Sequence, residues 1–181
     1  MGLPSRAAFK IEEILARNRL VPKAARIVDL GCAPGGWLAI LVQAAGPDRR
    51  VVGVDLAPVK NPPPGAITIV GDILDASVAA RVASELGGRA NLVTSDLAPK
   101  LTGIAARDEA RSRELIDAAL AFAIAILAPG GAMVAKLFMD AEFKQVVDTF
   151  KRHFVNVDVT RTKASRPGSS ELYIVARDFR G

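Results

Sequence analysis

Lys136 lies inside the apolar run Ala132-Met133-Val134-Ala135-Lys136-Leu137-Phe138. A lysine in such surroundings is partly desolvated, and burial disfavours its ammonium form. A neutral amine can take a proton from a weakly acidic hydroxyl. The plainer role for such a residue is a stem buried with its head in water, or a core ion pair. Other residues converge on the same place and favour chemistry. Asp96 ends the run Asn91-Leu92-Val93-Thr94-Ser95, and Glu171 opens the run Leu172 to Ala176. Lys10 belongs to a basic helix face that can lie over the same edge. A second cation and burial would lower the Lys136 pKa, whereas the two carboxylates would orient the amine and oppose the shift.

A second constellation suits a ligand rather than a proton. Val28-Asp29-Leu30-Gly31-Cys32-Ala33-Pro34-Gly35-Gly36-Trp37 reads as a strand, a Gly-rich turn and the start of a helix. Glycines there let the backbone approach a ligand closely. The spacing Gly-x-x-x-Gly-Gly departs from the dinucleotide pattern Gly-x-Gly-x-x-Gly. Asp29, just before the first glycine, is expected to meet a cation better than a pyrophosphate. Both features favour S-adenosylmethionine, with its sulfonium and amine, over NAD. Asp55 closes the apolar run Val51 to Val54, 24 residues beyond Gly31, and a carboxylate there can accept both ribose hydroxyls of an adenosine. Cys32 reads as a small residue in a tight turn, with no base beside it in sequence.

These residues need elements to carry them. Helices are expected over about 5–19, capped by Ser5, and over 35–45, 76–87, 108–127 and 140–151. In the first, Ala7, Ile11, Ile14 and Leu15 form the apolar stripe, and Arg6, Lys10, Glu13 and Arg17 share the other face. Strands are expected over about 26–31, 51–55, 67–70, 91–96, 132–138, 155–159 and 171–176. Pro58 and Pro62-Pro63-Pro64 stiffen one loop, residues 99–107 form another, and Pro129-Gly130-Gly131 stops the long helix. Five βα alternations followed by a hairpin predict an α/β fold. It is a Rossmann-like, seven-stranded, mostly parallel sheet with one antiparallel strand and helices on both faces. Ligands of such sheets bind at the carboxyl edge of the parallel strands, where Gly31, Asp55, Asp72, Asp96 and Lys136 all fall.

The chain has 181 residues, half of them hydrophobic, which suits one domain spanning 1–181 with a single sizeable core. Its longest apolar run, Ala118 to Ala128, is too short for a membrane span, and no signal peptide is visible. One cysteine excludes an internal disulfide and fits a reducing cytoplasm. A monomer acting away from membranes is expected. The net charge of +5 suits a polyanion. Cations gather at Arg6, Lys10, Arg17, Arg19, Lys23 and Arg26, and again at Lys151, Arg152, Arg161, Lys163 and Arg166. The two ends of the chain are therefore the expected electrostatic footprint.

Taken together, the motifs resemble the FtsJ-type (RrmJ-type) RNA ribose 2′-O-methyltransferases. The matching pieces are Ser5-Arg6-Ala7-Ala8-Phe9-Lys10, Asp29 to Trp37, Val54-Asp55-Leu56, Gly71-Asp72-Ile73, Ser95-Asp96-Leu97-Ala98-Pro99, Lys136-Leu137-Phe138 and Ser165 to Tyr173. They cover essentially the whole chain in order. The resemblance implies a catalytic tetrad of Lys10, Asp96, Lys136 and Glu171, with Lys136 as general base. It implies S-adenosyl-L-methionine as cofactor, held around Gly31, Gly35, Gly36, Trp37, Asp55, Asp72 and Asp96, and no metal. Asp55 would take the ribose, Asp72 the adenine amine, and Asp96 the sulfonium side. It implies RNA as partner, held by Arg6, Lys10, Arg161, Lys163 and Arg166. The expected acceptor is a uridine of large-subunit ribosomal RNA. Two departures stand out. The chain starts four residues before Ser5, where bacterial ribosomal-RNA members carry a longer basic extension, and Cys32 replaces a common alanine. Competing readings keep the fold but change the acceptor to tRNA, or retain the cofactor in a ribosome-assembly factor without turnover. A nicotinamide oxidoreductase fails on the glycine spacing. Tyr173 is expected to pack in the last strand, outside the site.

Overall fold

The computed structural model describes residues 6–22, 25–100, 102–165 and 168–181, with the side chain of Arg6 excepted. In chain order the elements are α1 (Arg6–Asn18), β1 (Arg26–Leu30), α2 (Gly36–Ala45), β2 (Arg50–Asp55), β3 (Ala66–Val70), α3 (Ala76–Leu86), β4 (Ala90–Ser95), α4 (Ala105–Ile126), β5 (Leu127–Phe138), α5 (Phe143–His153), β6 (Phe154–Thr160) and β7 (Glu171–Phe179). They build one seven-stranded sheet in the order β3-β2-β1-β4-β5-β7-β6. β1 to β5 pair in parallel, and β7 runs antiparallel between β5 and β6. The expected sheet, with its one reversed strand, is thus observed.

The central strands are apolar on both faces because helices cover both. Val28, Leu30, Val52, Val54, Val93, Met133 and Ala135 pack against α3, α4 and α5. Ile27, Val51, Leu92 and Val134 pack against α1 and α2. In α1 the stripe Ile11, Ile14 and Leu15 is buried as expected, joined by Ala8. Each isoleucine so buried contributes about 1.5–3 kcal/mol, which anchors the helix carrying Lys10. Ser5, the expected cap, lies outside the described residues.

Three details differ from expectation. Only four helices cross between strands after β1. β2 reaches β3 through residues 56–65, where Pro58 and Pro62-Pro63-Pro64 remove amide donors and block a helix. α4 starts at Ala105, before the expected position, because Asp108 in its first turn accepts from the N–H groups of Thr102 and Gly103 (2.8 and 3.1 Å). The Pro129-Gly130-Gly131 stretch lies within β5 as an irregularity, with Gly130 at φ +77°, and the β4–β5 register shifts between Ala90 and Leu92. Among the described residues no helix is long and apolar enough to cross a membrane.

Candidate active site

The carboxyl edge of the sheet is shaped by the turn after β1. Gly31 adopts φ +77° and donates to Val54 O (2.8 Å), as does Cys32 (3.2 Å). A Cβ on Gly31 would stand 2.9 Å from Leu97 Cδ2 and 3.2 Å from Leu97 N, so only glycine fits this position comfortably. Gly35, at φ +113°, precedes α2 and gives that helix no side-chain cap. The amides opening α2 are therefore available to an acceptor. Cys32 is buried, with Sγ 2.7 Å from where a Gly53 Cβ would sit. Burial, aided by the carboxylates of Asp29 and Asp55, pushes its thiol up to about 12. It is a packing residue, as its setting in the turn suggested.

Asp55 ends β2 with both carboxylate oxygens engaged from one side. Ala33 N–H donates to Oδ2 (2.9 Å) and Ala57 N–H to Oδ1 (2.8 Å). These bonds fix the carboxylate while leaving lone pairs for further donors. Asp72, after β3, accepts from Leu74 N–H (2.9 Å) and is exposed. Leu56 and Leu74, each next to or near one of these carboxylates, are 73% and 76% exposed. Trp37 is only 3% exposed and packs on Tyr173 with ring centroids 5.9 Å apart. Its ring therefore belongs to the core beneath the turn, and its indole Nε1 has no partner there.

Asp29 departs from expectation. Instead of facing a cationic ligand it is fully buried between β2 and β4. Thr94 Oγ1 donates to its Oδ1 at 2.7 Å, and Oδ2 has no partner. Burial, reinforced by the charges of Asp96 and Asp55 and opposed by Thr94, pushes its carboxyl up to about 8. A protonated Asp29 can place its hydrogen in the same 2.7 Å contact, freeing the Thr94 hydroxyl for Val28 O at 3.3 Å.

Lys10, Asp96, Lys136 and Glu171 come together as two ion pairs. Lys136 Nζ lies 3.0 Å from Asp96 Oδ1 and donates to Asp96 O at 3.1 Å. Lys10 Nζ lies 2.5 Å from Glu171 Oε1. Side-chain exposures of 11% and 25% for the first pair, and 17% and 16% for the second, make the site mostly desolvated but open. Burial raises the Asp96 pKa, and the adjacent Lys136 ammonium works against that rise. The topology explains the convergence. β4 and β5 are parallel neighbours, so Asp96 and Lys136 share an edge, and antiparallel β7 begins where β5 ends. Phe138 pairs with Glu171, and Lys136 with Tyr173.

Tyr173 joins this cluster, although the sequence placed it outside the site. It is 1% exposed, and its hydroxyl donates to Glu171 Oε1 at 2.9 Å. Its place two residues beyond Glu171 on one strand, and so on the same face, was the available signal. The basic residues are more scattered. Arg161 donates to Ser169 O within its own loop. Lys163 donates its backbone N–H to Glu13 Oε2 (2.9 Å), which ties that loop to α1. Arg166 and the side chain of Arg6 lie outside the described residues. Lys100 and Arg107, which the charge count at the chain ends passed over, are exposed in the loop and first turn after β4.

This sheet order, with its glycine turn and edge carboxylates, defines a Rossmann-like methyltransferase fold. Solved structures agree. A Plasmodium falciparum protein provisionally described as a ribosomal RNA methyltransferase aligns at a TM-score of 0.86, with 23% identity, over 99% of this chain and 100% of its own. Aeropyrum pernix fibrillarin, solved with natively bound S-adenosyl-L-methionine, aligns at 0.59 with 17% identity over 87% of this chain and 68% of its own. The profile of the FtsJ-like methyltransferase family matches residues 3–179. Ribosomal RNA large subunit methyltransferase E from Methanoculleus marisnigri is 46% identical over 180 residues, 99% of this chain and 87% of the relative. The protein of the same name from Granulibacter bethesdensis is 47% identical over 179 residues, 99% of this chain and 76% of the relative. The chain belongs to the FtsJ-like methyltransferase family.

Proposed function

We propose that this protein transfers a methyl group from S-adenosyl-L-methionine to a ribose 2′-hydroxyl of RNA, on a uridine of large-subunit ribosomal RNA. The observation that carries the reading is the pairing of Lys136 with Asp96, beside the Lys10–Glu171–Tyr173 cluster, at the same edge as the glycine turn. The relatives named as large-subunit ribosomal RNA methyltransferases supply the acceptor class.

The residues present fit the cofactor. α2 begins without a side-chain cap behind the left-handed Gly35, and Trp37 Nε1 is unpartnered. The opening amides of α2 suit the amino-acid carboxylate. Asp55 suits the ribose hydroxyls and Asp72 the adenine amine, with Leu56 and Leu74 offering apolar contact to the purine. Gly35 and Gly36 keep side chains out of this approach, and Asp96 serves the sulfonium side. When bound, S-adenosylmethionine supplies an electrophilic methyl group.

The chain's own groups manage the acceptor. The Lys136 ammonium first gives up a proton; as the neutral amine it then takes the proton of the 2′-hydroxyl as that oxygen becomes nucleophilic, and later returns it to solvent. Asp96 holds the amine through two contacts, on its carboxylate and its carbonyl. Glu171, fixed by Lys10 and Tyr173, orients the acceptor hydroxyl. Arg161, Lys163 and the basic face of α1 hold phosphates, a contact blind to sequence. The protein acts as one catalytic domain, a cytoplasmic monomer. The test is Lys136→Ala. Methyl transfer to RNA should fall by about a hundredfold or more, while cofactor affinity by titration calorimetry stays near wild type. A fully active variant would remove the base.

A further inference from the structure

Beyond the Lys136–Asp96 pair a groove of about 330 Å³ opens at the end of β5, lined in part by Ala98, Pro99, Ala105, Phe138, Met139 and Ser170. We propose that this groove receives the base of the nucleotide whose ribose is methylated, a role that rests on the ribose-methylation reading above.

Position argues first. Phe138 stands two residues beyond Lys136 on the same strand, and therefore on the same face. A ribose held at Lys136 has its base within reach of Phe138. The chemistry of the walls argues next. Pro99, Phe138 and Met139 present apolar surface to a flat ring, and Met139 is 54% exposed. Nothing in the catalytic cluster needs Met139 to face water. Its backbone N–H donates to Ser170 O at 2.9 Å, which fastens β5 to the residue preceding Glu171. The groove wall and the catalytic carboxylate are thus one rigid unit. Glu109 and Asp140, also at the groove, offer acceptors. They favour a base edge that presents an N–H, as the imide of uracil does.

Charge outside the groove completes the match. Lys100 follows Pro99, and Arg107 and Arg111 bracket Asp108 and Glu109. A nucleotide with its base between apolar walls would leave its phosphates near these cations. A base contacted by side chains in this way is an unpaired one, turned out of any duplex.

The experiment compares an RNA substrate with the same RNA lacking only the base at the methylated nucleotide. Rates are measured at saturating S-adenosylmethionine. Wild type should prefer the intact RNA by about tenfold or more, since stacking of one base carries an effect of that size. Met139→Ala and Phe138→Leu should each narrow the preference, and together bring it to about twofold, with cofactor affinity unchanged. Met139→Ala changes an exposed side chain and keeps the backbone bond, so it tests the groove without threatening the fold. Wild-type indifference to base loss would overturn the proposal, as would full preference in the paired variant. Failure of wild type to methylate the intact RNA would instead overturn the ribose-methylation reading, and the groove's role with it.

Discussion

Replacing Glu171 by alanine tests whether the α1–β7 junction holds the carboxyl edge of the sheet together. The carboxylate is the common acceptor for Lys10 Nζ at 2.5 Å and Tyr173 OH at 2.9 Å. Tyr173 is 1% exposed, so its hydroxyl cannot turn to solvent, and losing its acceptor costs about 1–3 kcal/mol. The Lys10 side chain keeps 17% exposure and can swing outward, so the broken pair adds only about 1 kcal/mol. The sum, about 2–4 kcal/mol, lowers the melting temperature by roughly 5–15 °C for a chain of this size. Glu171→Gln keeps an acceptor for Tyr173 and should recover about half of that loss. A double-mutant cycle with Lys10→Met isolates the pair, with an expected coupling of about 1 kcal/mol. Thermal denaturation followed by circular dichroism reads all five proteins. If Glu171→Ala melts with wild type, or the cycle shows no coupling, the cluster contributes nothing and the reasoning from its burial is wrong.

Asp29 gives a pH test. Its carboxyl holds its proton to about pH 8 in the folded chain, against an ordinary value of 3.8. The unfolded chain therefore releases that proton first, and between about pH 4 and 8 this group erodes stability as pH rises, by up to about 1.4 kcal/mol per unit. Asp29→Asn should gain on wild type across that window in urea unfolding; a pH-independent difference would exclude a buried neutral acid. Gly31→Ala should cost about 1–3 kcal/mol, from φ +77° and the close approach to Leu97, and should weaken cofactor binding. Unchanged affinity in calorimetry would separate the turn from the cofactor. RNA affinity should fall by about tenfold or more between roughly 50 and 200 mM salt. Lys100→Glu should weaken it more than Arg152→Glu, because α5 ends at the far edge of the sheet; equal effects in filter binding would place the RNA elsewhere.

Much of this site was legible locally. A carboxylate closing an apolar run of strand length marks the end of a strand, and parallel strands put their ends on one edge. Asp55 and Asp96 were found that way, as was Gly31 from the turn chemistry that follows β1. The burial of Asp29 was not legible, because a residue one step before a glycine turn reads the same whether it faces ligand or core. Only the neighbouring strands, carrying Gly53 and Thr94 at its level, close it off. The hydroxyl contact of Tyr173 was not legible for a related reason. An aromatic in an apolar strand looks like packing, and it does pack against Trp37, yet its hydroxyl reaches the charged end of the same strand.

The amino-acid order by itself determined the elements, the strand ends that hold the carboxylates, and the glycine turn, because these follow from periodicity and backbone sterics within a few residues. Which lysine meets which carboxylate was decided only by the tertiary structure. Lys10 and Glu171 are 161 residues apart in the chain, and Lys136 and Asp96 are 40 apart. Their meeting depends on α1 burying its isoleucines against the sheet and on β7 inserting antiparallel beside β5. Those are packing choices that local pattern does not encode, since each is settled by surfaces contributed from distant parts of the chain.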